Sequence, residues 1–580
     1  MDARFLCFIF ATTLTYAAVV AHHPHGPANT VDATTSVAVA SADRIHLDAA
    51  SEQDTDPRAN AELSARIYAL LPLAAATAND HYDQVLHAPR KRSDASSVRK
   101  SNGPAMKIMI VGDSMSQGGQ GDWTWRYRIW KWFRSQHVPV DFVGPYSATR
   151  SVSAASPPKP PPLYGHEPAD EELLDGTYAA GVSPDFDHDH FARWGQPATR
   201  AKHQIGNFVK VHEPELLLVM LGFNDLGWNY SDVGGTLSSI KQLVDEARAA
   251  RPDIKIALAN IPQRKLTPER QDMPNKTAEY NALLANAVPE WSTAHSPIFK
   301  VPLQETYPCA PADCPGGYDG LHPNERGEFH IARAFTLTLV KDFKIGKSPL
   351  KIPRFIRARS MPMPSNFHIH SSPFGVTAMW DRVQSAYEYE VRIRLNGEPK
   401  SQAKVISVPA NRWDSEWAED GSKYEVQIRA KAGDHRHSKW TSPKTAISRP
   451  QTAPPPVNVT LKSMADSFQV TWDPPSGLYT DSIIEYNVLY LDCDVNSTSF
   501  TSAAFSSSPA TIVSLTAGHR YLVAISTWNE NGAGFPDLLG TIIIGETSES
   551  VKRSNILNAQ DKRIYRREYY SNQLSACNDI

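Results

Sequence analysis

Between residues 107 and 343 the sequence alternates short apolar runs with longer stretches whose apolar residues recur every three or four positions. The short runs predict strands, and the longer stretches predict helices. Strands without a polar face are typical of a parallel sheet that is covered by helices on both sides. Residues 105–345 are therefore predicted to form a three-layer α/β domain. The predicted strands are Lys107–Gly112, Val138–Val143, Glu215–Leu221, Lys255–Asn260 and Ile298–Pro302.

Helices are predicted between these strands and after the last one. A long segment rich in Pro, Asp and Gly, residues 146–196, interrupts the pattern and is expected to form part of the rim of the domain. Ligands of such domains bind at the carboxyl ends of the strands, so polar residues that directly follow a strand are the first candidates for a site. The predicted helices are Trp123–Ser135, Pro197–His212, Leu237–Ala250, Thr277–Val288 and Glu325–Phe343.

Two further blocks, residues 364–449 and 452–545, contain strand patterns only. Each has an early tryptophan, a tyrosine in the middle and a late tyrosine that begins an alternating run, which predicts two small β-sandwiches with the late tyrosine as a corner residue. Both blocks resemble fibronectin type III modules, which serve as spacers or as binding modules. Residues 346–363 are predicted to be a linker and residues 546–580 a flexible tail. The marker residues are Trp380, Tyr387, Tyr389 and Tyr424 in the first block, and Trp472, Tyr486 and Tyr521 in the second.

The start of the chain and its bulk composition predict an exported, soluble protein. Residues 1–21 carry a basic start, an apolar run and a small-residue cleavage site, which is the pattern of a secretory signal. The apolar run is shorter than the roughly 20 residues that a membrane anchor needs. Residues 22–104 are predicted to be a disordered leader or pro-segment. A net charge of −3 gives no indication of nucleic-acid binding.

The cysteine pattern fits an oxidising compartment. Of the five cysteines, Cys7 lies in the predicted signal, and the remaining even number predicts disulfides between Cys309 and Cys314 and between Cys493 and Cys577. Zinc is the alternative for the first pair, although a second ligand pair is missing. Four Asn-x-Ser/Thr sequons predict glycosylation if the source is a eukaryote. They begin at Asn229, Asn275, Asn458 and Asn496.

Three polar residues in the α/β domain fit nucleophilic catalysis. Ser114 directly follows the first predicted strand, and Asp319 and His322 lie three residues apart near the end of the domain. A serine hydroxyl needs a base within hydrogen-bond reach, and the base needs an orienting partner. Asp319 is therefore predicted to hold one ring nitrogen of His322 and leave the other for Ser114. The backbone N–H of Ser114 and the side-chain amide of Asn224, just beyond a later strand, are predicted to stabilise an oxyanion.

These blocks resemble those of the SGNH hydrolases, also called the GDSL esterase/lipase family. The first block is Gly112-Asp113-Ser114-Met115, with Met where the family name has Leu; the others are Gly222-Phe223-Asn224-Asp225 and Asp319-Gly320-Leu321-His322. The resemblance implies a flavodoxin-like α/β fold with a parallel sheet and no cofactor or metal. It also implies Ser114 as nucleophile, His322 as base, Asp319 as orienting acid and Asn224 as oxyanion donor.

The family uses one more donor, the N–H of a glycine. Gly195 is preferred here because a helix-like stretch follows it, while Gly144 ends a predicted strand and is the alternative. Four tryptophans near the blocks predict either sugar stacking or packing. A cluster of Asp and His residues suggests metal ligands by type, but a role in the substrate rim or a purely structural role is preferred. These residues are Trp123, Trp125, Trp194 and Trp228, and Asp185, Asp187, His188, Asp189 and His190.

The function expected from the sequence is a secreted serine esterase that removes acetyl groups from polysaccharide. The alternatives are an esterase for short-chain lipids or other small esters, and a catalytically inactive adhesion protein in which the β-sandwiches carry the function.

Overall fold

The structure is a computed structural model, and it describes residues 104–166, 173–267, 270–395, 397–399, 401, 403–495, 500–546 and 551–552. All of them belong to one compact unit. The predicted signal, the predicted leader up to residue 103, Asn496 and Cys577 lie outside the described residues. None of the helices in these ranges is long and apolar enough to cross a membrane.

The α/β domain is built on a parallel sheet with the strand order β2-β1-β4-β5-β6. A two-residue strand, β3, adds to the carboxyl end of β1, where Val111 pairs with Phe191. Without β3 the order is that of flavodoxin-like folds, in which the sites lie at the carboxyl ends of the strands. The fold class predicted from the alternating pattern is confirmed. The strands are β1 (Met106–Gly112), β2 (Val140–Phe142), β3 (Phe191–Ala192), β4 (Leu216–Met220), β5 (Lys255–Ala259) and β6 (Ile298–Val301).

Helices cover both faces of this sheet. The second and the last helix of the domain pack on each other, and the sixth packs between the fourth and the seventh. The predicted helix Pro197–His212 is divided in two by a turn at residues 202–204. The helices are α1 (Ser114–Gln117), α2 (Thr124–Ser135), α3 (Ala198–Ala201), α4 (Ile205–His212), α5 (Phe223–Gly227), α6 (Val233–Ala250), α7 (Met273–Trp291), α8 (Leu303–Thr306) and α9 (Glu325–Lys341).

The core of the domain lies between the sheet and these two helix layers. Strand β4 is buried along its whole length, as expected for a central parallel strand. On one side Trp125 of α2 stacks on Phe335 of α9 with the ring centroids 4.7 Å apart. These layers fix the carboxyl ends of β1 and β4, from which the candidate site is built.

Two antiparallel sandwiches follow the α/β domain. The first has sheets β11-β8-β7 and β10-β9-β12-β13, and the second has sheets β18-β15-β14-β22 and β17-β16-β19, with β20 and β21 paired to β19. The strands of the first are β7 (His368–Ser372), β8 (Gly375–Met379), β9 (Glu388–Leu395), β10 (Lys404–Val408), β11 (Arg412–Asp414), β12 (Lys423–Lys431) and β13 (Lys444–Ile447). Those of the second are β14 (Val457–Ser463), β15 (Phe468–Asp473), β16 (Ile483–Asp492), β17 (Thr501–Phe505), β18 (Ala510–Ile512), β19 (Arg520–Asn529), β20 (Gly532–Ala533), β21 (Asp537–Ile543) and β22 (Val551–Lys552).

Each sandwich is organised around the predicted aromatic residues. Trp380 meets Tyr389 edge to face in the first core, and Trp472 packs on Tyr486 in the second. The hydroxyl of Tyr521 accepts a hydrogen bond from the N–H of Thr516 at 3.3 Å, which confirms the corner role predicted for this residue. Strand β22 lies in the predicted flexible tail, but it pairs with β14.

The long insert of the α/β domain contacts the second sandwich. Leu163 pairs with Ala504 of β17 as an added parallel bridge, and the N–H of Tyr164 donates to the carbonyl of Ala504 at 2.8 Å. The ring of Tyr164 packs against Phe505 with the centroids 5.2 Å apart. The insert therefore reaches beyond the rim that was predicted for it.

Candidate active site

Ser114 lies where β1 passes into α1. The preceding residue, Asp113, caps the helix, and its carboxylate accepts from the N–H of Met115 at 3.0 Å. As the first residue of the helix, Ser114 has an N–H without an intrahelical acceptor. The turn thus presents the hydroxyl and a backbone donor of the same residue at the carboxyl end of β1.

Ser114, His322 and Asp319 form a hydrogen-bonded line. The Oγ of Ser114 is 2.9 Å from Nε2 of His322, and Nδ1 of His322 is 2.6 Å from Oδ2 of Asp319. The loop that carries Asp319 and His322 lies between α8 and α9, and His322 is 208 residues from the serine in sequence. The sequence predicted this set of contacts from residue type and spacing alone.

The carboxylate of Asp319 is fixed by its own loop. Its Oδ1 accepts from the N–H groups of Leu321, at 3.1 Å, and His322, at 2.8 Å. Burial alone would raise the pKa of Asp319, but His322 and these donors outweigh burial and hold the pKa below its ordinary value. The carboxylate is therefore ionised under neutral conditions and accepts from the imidazole.

A disulfide closes the segment just before this loop. Cys309 and Cys314 are bonded, as predicted from their spacing. Cys493 is also disulfide-bonded, while its predicted partner Cys577 lies outside the described residues.

Asn224 presents its amide from the first turn of α5. Trp228 donates its indole N–H to Oδ1 of Asn224 at 3.1 Å, so Nδ2 is the end that faces the serine loop. Nδ2 lies 3.2 Å from the carbonyl of Gln196 and 3.4 Å from Oδ2 of Asp113. Burial raises the pKa of Asp113 to about 7.

Asp225 fixes the neighbouring loop. Its carboxylate accepts from the N–H groups of Ala198 and Thr199 at 2.7 and 2.9 Å, which caps the short helix α3. This contact ties the start of α3, and with it the segment that contains Gly195, to the loop of Asn224.

The two candidate glycines have different surroundings. A side chain at Gly144 would place its Cβ 2.3 Å from the backbone of His190, so close packing explains that glycine. Gly195 has a φ of 73°, and a Cβ there would meet nothing within 4 Å. Within the described residues its N–H makes no hydrogen bond. Gly195 is therefore the candidate that has free space beside its backbone.

Aromatic rings surround His322. Trp194 stacks on the imidazole with centroids 4.6 Å apart and an interplanar angle of 16°, and Tyr318 lies 5.7 Å away at 21°. The guanidinium of Arg150, from the insert, lies over Trp194 at 4.8 Å. The N–H of Trp194 donates to Oε1 of Gln117 at 2.6 Å. The imidazole plane is therefore restrained by stacking as well as by its hydrogen bonds.

The four predicted tryptophans have different roles. Trp125 is fully buried in the core, and Trp123 packs under Arg128. Trp194 and Trp228 contact the site directly. Periodicity could not separate these cases, because a buried ring and a ring beside a site produce the same local pattern.

Two residues of the Asp and His cluster, Asp187 and His190, hydrogen-bond to the backbone. Asp187 accepts from the N–H of Phe142 at 2.6 Å, and the buried ring of His190 bonds the carbonyl of Ala148 and the N–H of Ala192. Among the described residues, no group of three or more His, Cys, Asp or Glu side chains is arranged to hold a metal ion.

Three residues at the site were not predicted to belong to it. Tyr318 precedes the Asp319 block, and Arg150 lies in an insert without periodicity. Tyr387, from the first sandwich, stacks on Tyr318 with the centroids 4.0 Å apart. Tyr387 could have been found only from the contact between the two domains, which the sequence does not show.

The predicted sequons that fall on described residues are on the surface. Asn229, Asn275 and Asn458 are exposed, with Asn275 in α7. Exposure is necessary for glycosylation, which remains a prediction.

Two family models match the chain. Residues 108–335 match the GDSL-like Lipase/Acylhydrolase model, and residues 452–538 match the Fibronectin type III domain model. The chain therefore contains a GDSL-like lipase/acylhydrolase domain and a fibronectin type III domain, and the two resemblances noted in the sequence are confirmed.

Individual proteins match smaller parts. Human protogenin is 32% identical over 165 residues, which cover 27% of this chain and 14% of that protein. A family 3 carbohydrate esterase from Talaromyces cellulolyticus is similar in structure with 22% identity and a TM-score of 0.31, covering 41% of this chain and 98% of that one. A two-domain fibronectin type III segment of chicken tenascin has 17% identity and a TM-score of 0.15, covering 31% of this chain and 99% of that one.

Proposed function

We propose that the GDSL-like lipase/acylhydrolase domain of this chain is a serine ester hydrolase that acts through a covalent acyl-enzyme. The observation that carries the proposal is the hydrogen-bonded line from Oγ of Ser114 through His322 to Asp319, at 2.9 and 2.6 Å. A hydroxyl, an imidazole and a carboxylate in this order are the parts that acyl transfer to serine requires.

In the first half of the reaction, Oγ of Ser114 attacks the ester carbonyl carbon while Nε2 of His322 takes the hydroxyl proton. The charge on the imidazolium is balanced by the carboxylate of Asp319. The tetrahedral intermediate collapses by breaking the bond to the alcohol oxygen, and His322 returns the proton to that oxygen. The alcohol leaves, and the acyl group stays on Ser114 as an ester.

In the second half, a water molecule gives a proton to His322 and attacks the acyl carbon. The tetrahedral intermediate then breaks the bond between the acyl carbon and Oγ of Ser114. The serine takes a proton back from His322, and the carboxylic acid leaves. The same base therefore serves both steps, with its proton moved in opposite directions.

Three donors are assigned to the carbonyl oxygen as it becomes negative. They are the N–H groups of Ser114 and Gly195 and the Nδ2 of Asn224. Their support is the missing helical acceptor for Ser114, the open space at Gly195 and the orientation of the Asn224 amide by Trp228. Neutral donors stabilise the oxyanion without titrating.

We propose that the substrate is a polysaccharide that carries acetyl groups and that the protein acts after export from the cell. The half-buried Trp194 beside His322 motivates a carbohydrate, because large aromatic side chains supply much of the contact area of a binding site. Small or short-chain lipid esters are the second candidate. A screen of acetylated polysaccharides against p-nitrophenyl esters of increasing acyl length separates the two.

The direct test compares Ser114→Ala with Ser116→Ala in the full chain. Ser116 is on the same short helix, is fully buried, and its hydroxyl makes no hydrogen bond within the described residues, so it is a matched control. Ser114→Ala is expected to abolish turnover of p-nitrophenyl acetate, and Ser116→Ala to retain it. Equal, slow hydrolysis by the wild type and Ser114→Ala would favour an inactive adhesion protein and refute the enzyme.

A further inference from the structure

One residue of the first sandwich touches both loops of the candidate active site. Tyr387 directly precedes β9, and its ring stacks on Tyr318 at 4.0 Å, while Tyr318 stacks in turn on His322 at 5.7 Å. A Cβ on Gly119 would lie 3.3 Å from the Tyr387 ring, so the ring also packs against the loop that follows Ser114. Tyr387 therefore contacts the serine loop and the histidine loop at once.

The hydroxyl of Tyr387 fixes the serine loop. It donates to Oδ1 of Asp122 at 2.7 Å, and Oδ2 of Asp122 accepts from the N–H of Gly119 at 2.6 Å. Arg359 of the linker pairs with Asp122 at 2.6 Å and lies over the Tyr387 ring at 4.1 Å. Both side chains of the ion pair are almost fully buried. Removal of either Arg359 or Asp122 would therefore leave the charge of the other buried without a counter-charge.

The backbone of the first sandwich fixes the histidine loop in the same region. The N–H of Asp434 donates to the carbonyl of Tyr318 at 2.8 Å. A side chain at Gly433 would place its Cβ 2.2 Å from that carbonyl oxygen, so only glycine allows this approach. The sandwich thus touches the backbone of Tyr318 as well as its ring.

We propose that Tyr387 is a positioning residue for the catalytic base, which makes the first sandwich a part of the catalytic unit rather than a spacer. This inference rests on the proposed esterase function. Tyr387 acts through Tyr318, which holds the His322 plane, and through Asp122, which holds the loop after Ser114. It does not touch the acyl group of a small ester.

The expected effect is a loss of kcat at unchanged KM. A displacement of about 1 Å at a reacting group costs on the order of 10²-fold in rate, and a loosened ring contact displaces the base by part of that. Tyr387→Ala is therefore expected to lower kcat for p-nitrophenyl acetate roughly 10- to 100-fold. Tyr387→Phe keeps the stack and loses only the bond to Asp122, which Arg359 and the N–H of Gly119 still hold, so it should retain most of the turnover.

The experiment measures kcat and KM for wild type, Tyr387→Ala, Tyr387→Phe and Gln384→Ala in the full chain, below the melting temperature of every variant. Gln384 is the matched control, because its side chain crosses the same interface to the carbonyl of Tyr178 at 3.2 Å without touching the ring stack. Ser114→Ala is measured in parallel and gives the rate of hydrolysis that does not depend on the nucleophile.

A kcat loss in Tyr387→Ala that Tyr387→Phe restores and Gln384→Ala lacks supports the inference. Wild-type kcat in Tyr387→Ala, or an equal loss in Gln384→Ala, overturns it while the Ser114-dependent esterase stands. Wild-type turnover that does not depend on Ser114 overturns the proposed function, and this inference with it.

Discussion

Replacing Asp319 with Asn exchanges one carboxylate oxygen for an NH2 group. His322 then faces a hydrogen-bond donor where it now faces an acceptor. The Oδ1 of Asp319 accepts from the N–H groups of Leu321 and His322, so the amide oxygen of Asn fits that position. The amide Nδ2 then lies where Oδ2 is now, 2.6 Å from Nδ1 of His322. A donor at that place keeps the proton on Nε2, which can no longer accept from Ser114.

The size of the effect has two parts. Loss of a charge-assisted hydrogen bond removes about 1.5–3 kcal/mol of stabilisation from the imidazolium, which corresponds to roughly 10- to 150-fold in rate. The wrong tautomer adds to this, and in a triad of intact geometry the combined loss reaches about 10⁴-fold. We therefore expect kcat to fall by about 10³- to 10⁴-fold, with KM little changed because Asp319 does not contact the ester.

The assay is steady-state hydrolysis of p-nitrophenyl acetate, with thermal unfolding of the same samples to show that Asp319→Asn is folded. Asp434→Asn is the control, since it removes a nearby negative charge without contacting His322, and its link to Tyr318 is through the backbone. Residual turnover above that of Ser114→Ala is expected. Full activity in Asp319→Asn would refute the orienting role, and an equal loss in Asp434→Asn would mean that net charge, not the tautomer, matters.

Two other changes test the donor set and the electrostatics of the second sandwich. Asn224→Ala should lower kcat by about 10²- to 10³-fold, and Trp228→Phe, which removes only the bond that orients the amide, by less than about tenfold in the same ester assay; equal activity of Asn224→Ala and wild type would exclude the amide as a donor. Burial raises the pKa of Glu485 to about 7, so the folded chain holds a proton that the unfolded chain has released between about pH 4.5 and 7, and the wild type loses stability as pH rises through that window. Glu485→Gln does not titrate and should gain about 1–3 kcal/mol over the wild type at pH 8 relative to pH 4, measured by urea unfolding; a pH-independent difference would contradict the shift.

The sequence was sufficient to predict the strands of the α/β domain, because each strand is encoded by a run of neighbouring apolar residues. Each predicted strand lies within two residues of the observed one, since a buried parallel strand such as β4 is an uninterrupted apolar run. Ser114 and Asn224 could be placed because each comes just after a strand whose end was visible, and the Asp319 loop because it comes just before the predicted helix Glu325–Phe343. Strand β3 was missed, as two residues carry no periodicity.

The parts that could not be predicted depend on contacts between distant segments. Tyr387 fits the alternating pattern of a sandwich strand, but it lies just before β9 and faces the α/β domain. Nothing near it in sequence encodes Tyr318 or Asp122. For the same reason Trp125 and Trp194 could not be separated, because the one is buried against Phe335 and the other lies against His322.

The contact between the insert and β17 has a consequence for solubility. Strand β17 ends its sheet, and an open edge strand is a template for pairing with another copy of the chain. The bridge from Leu163 and the bond from Tyr164 occupy part of that edge. A chain that lost this part of the insert would expose the edge and aggregate more readily, so a segment of the α/β domain protects the second sandwich from self-association.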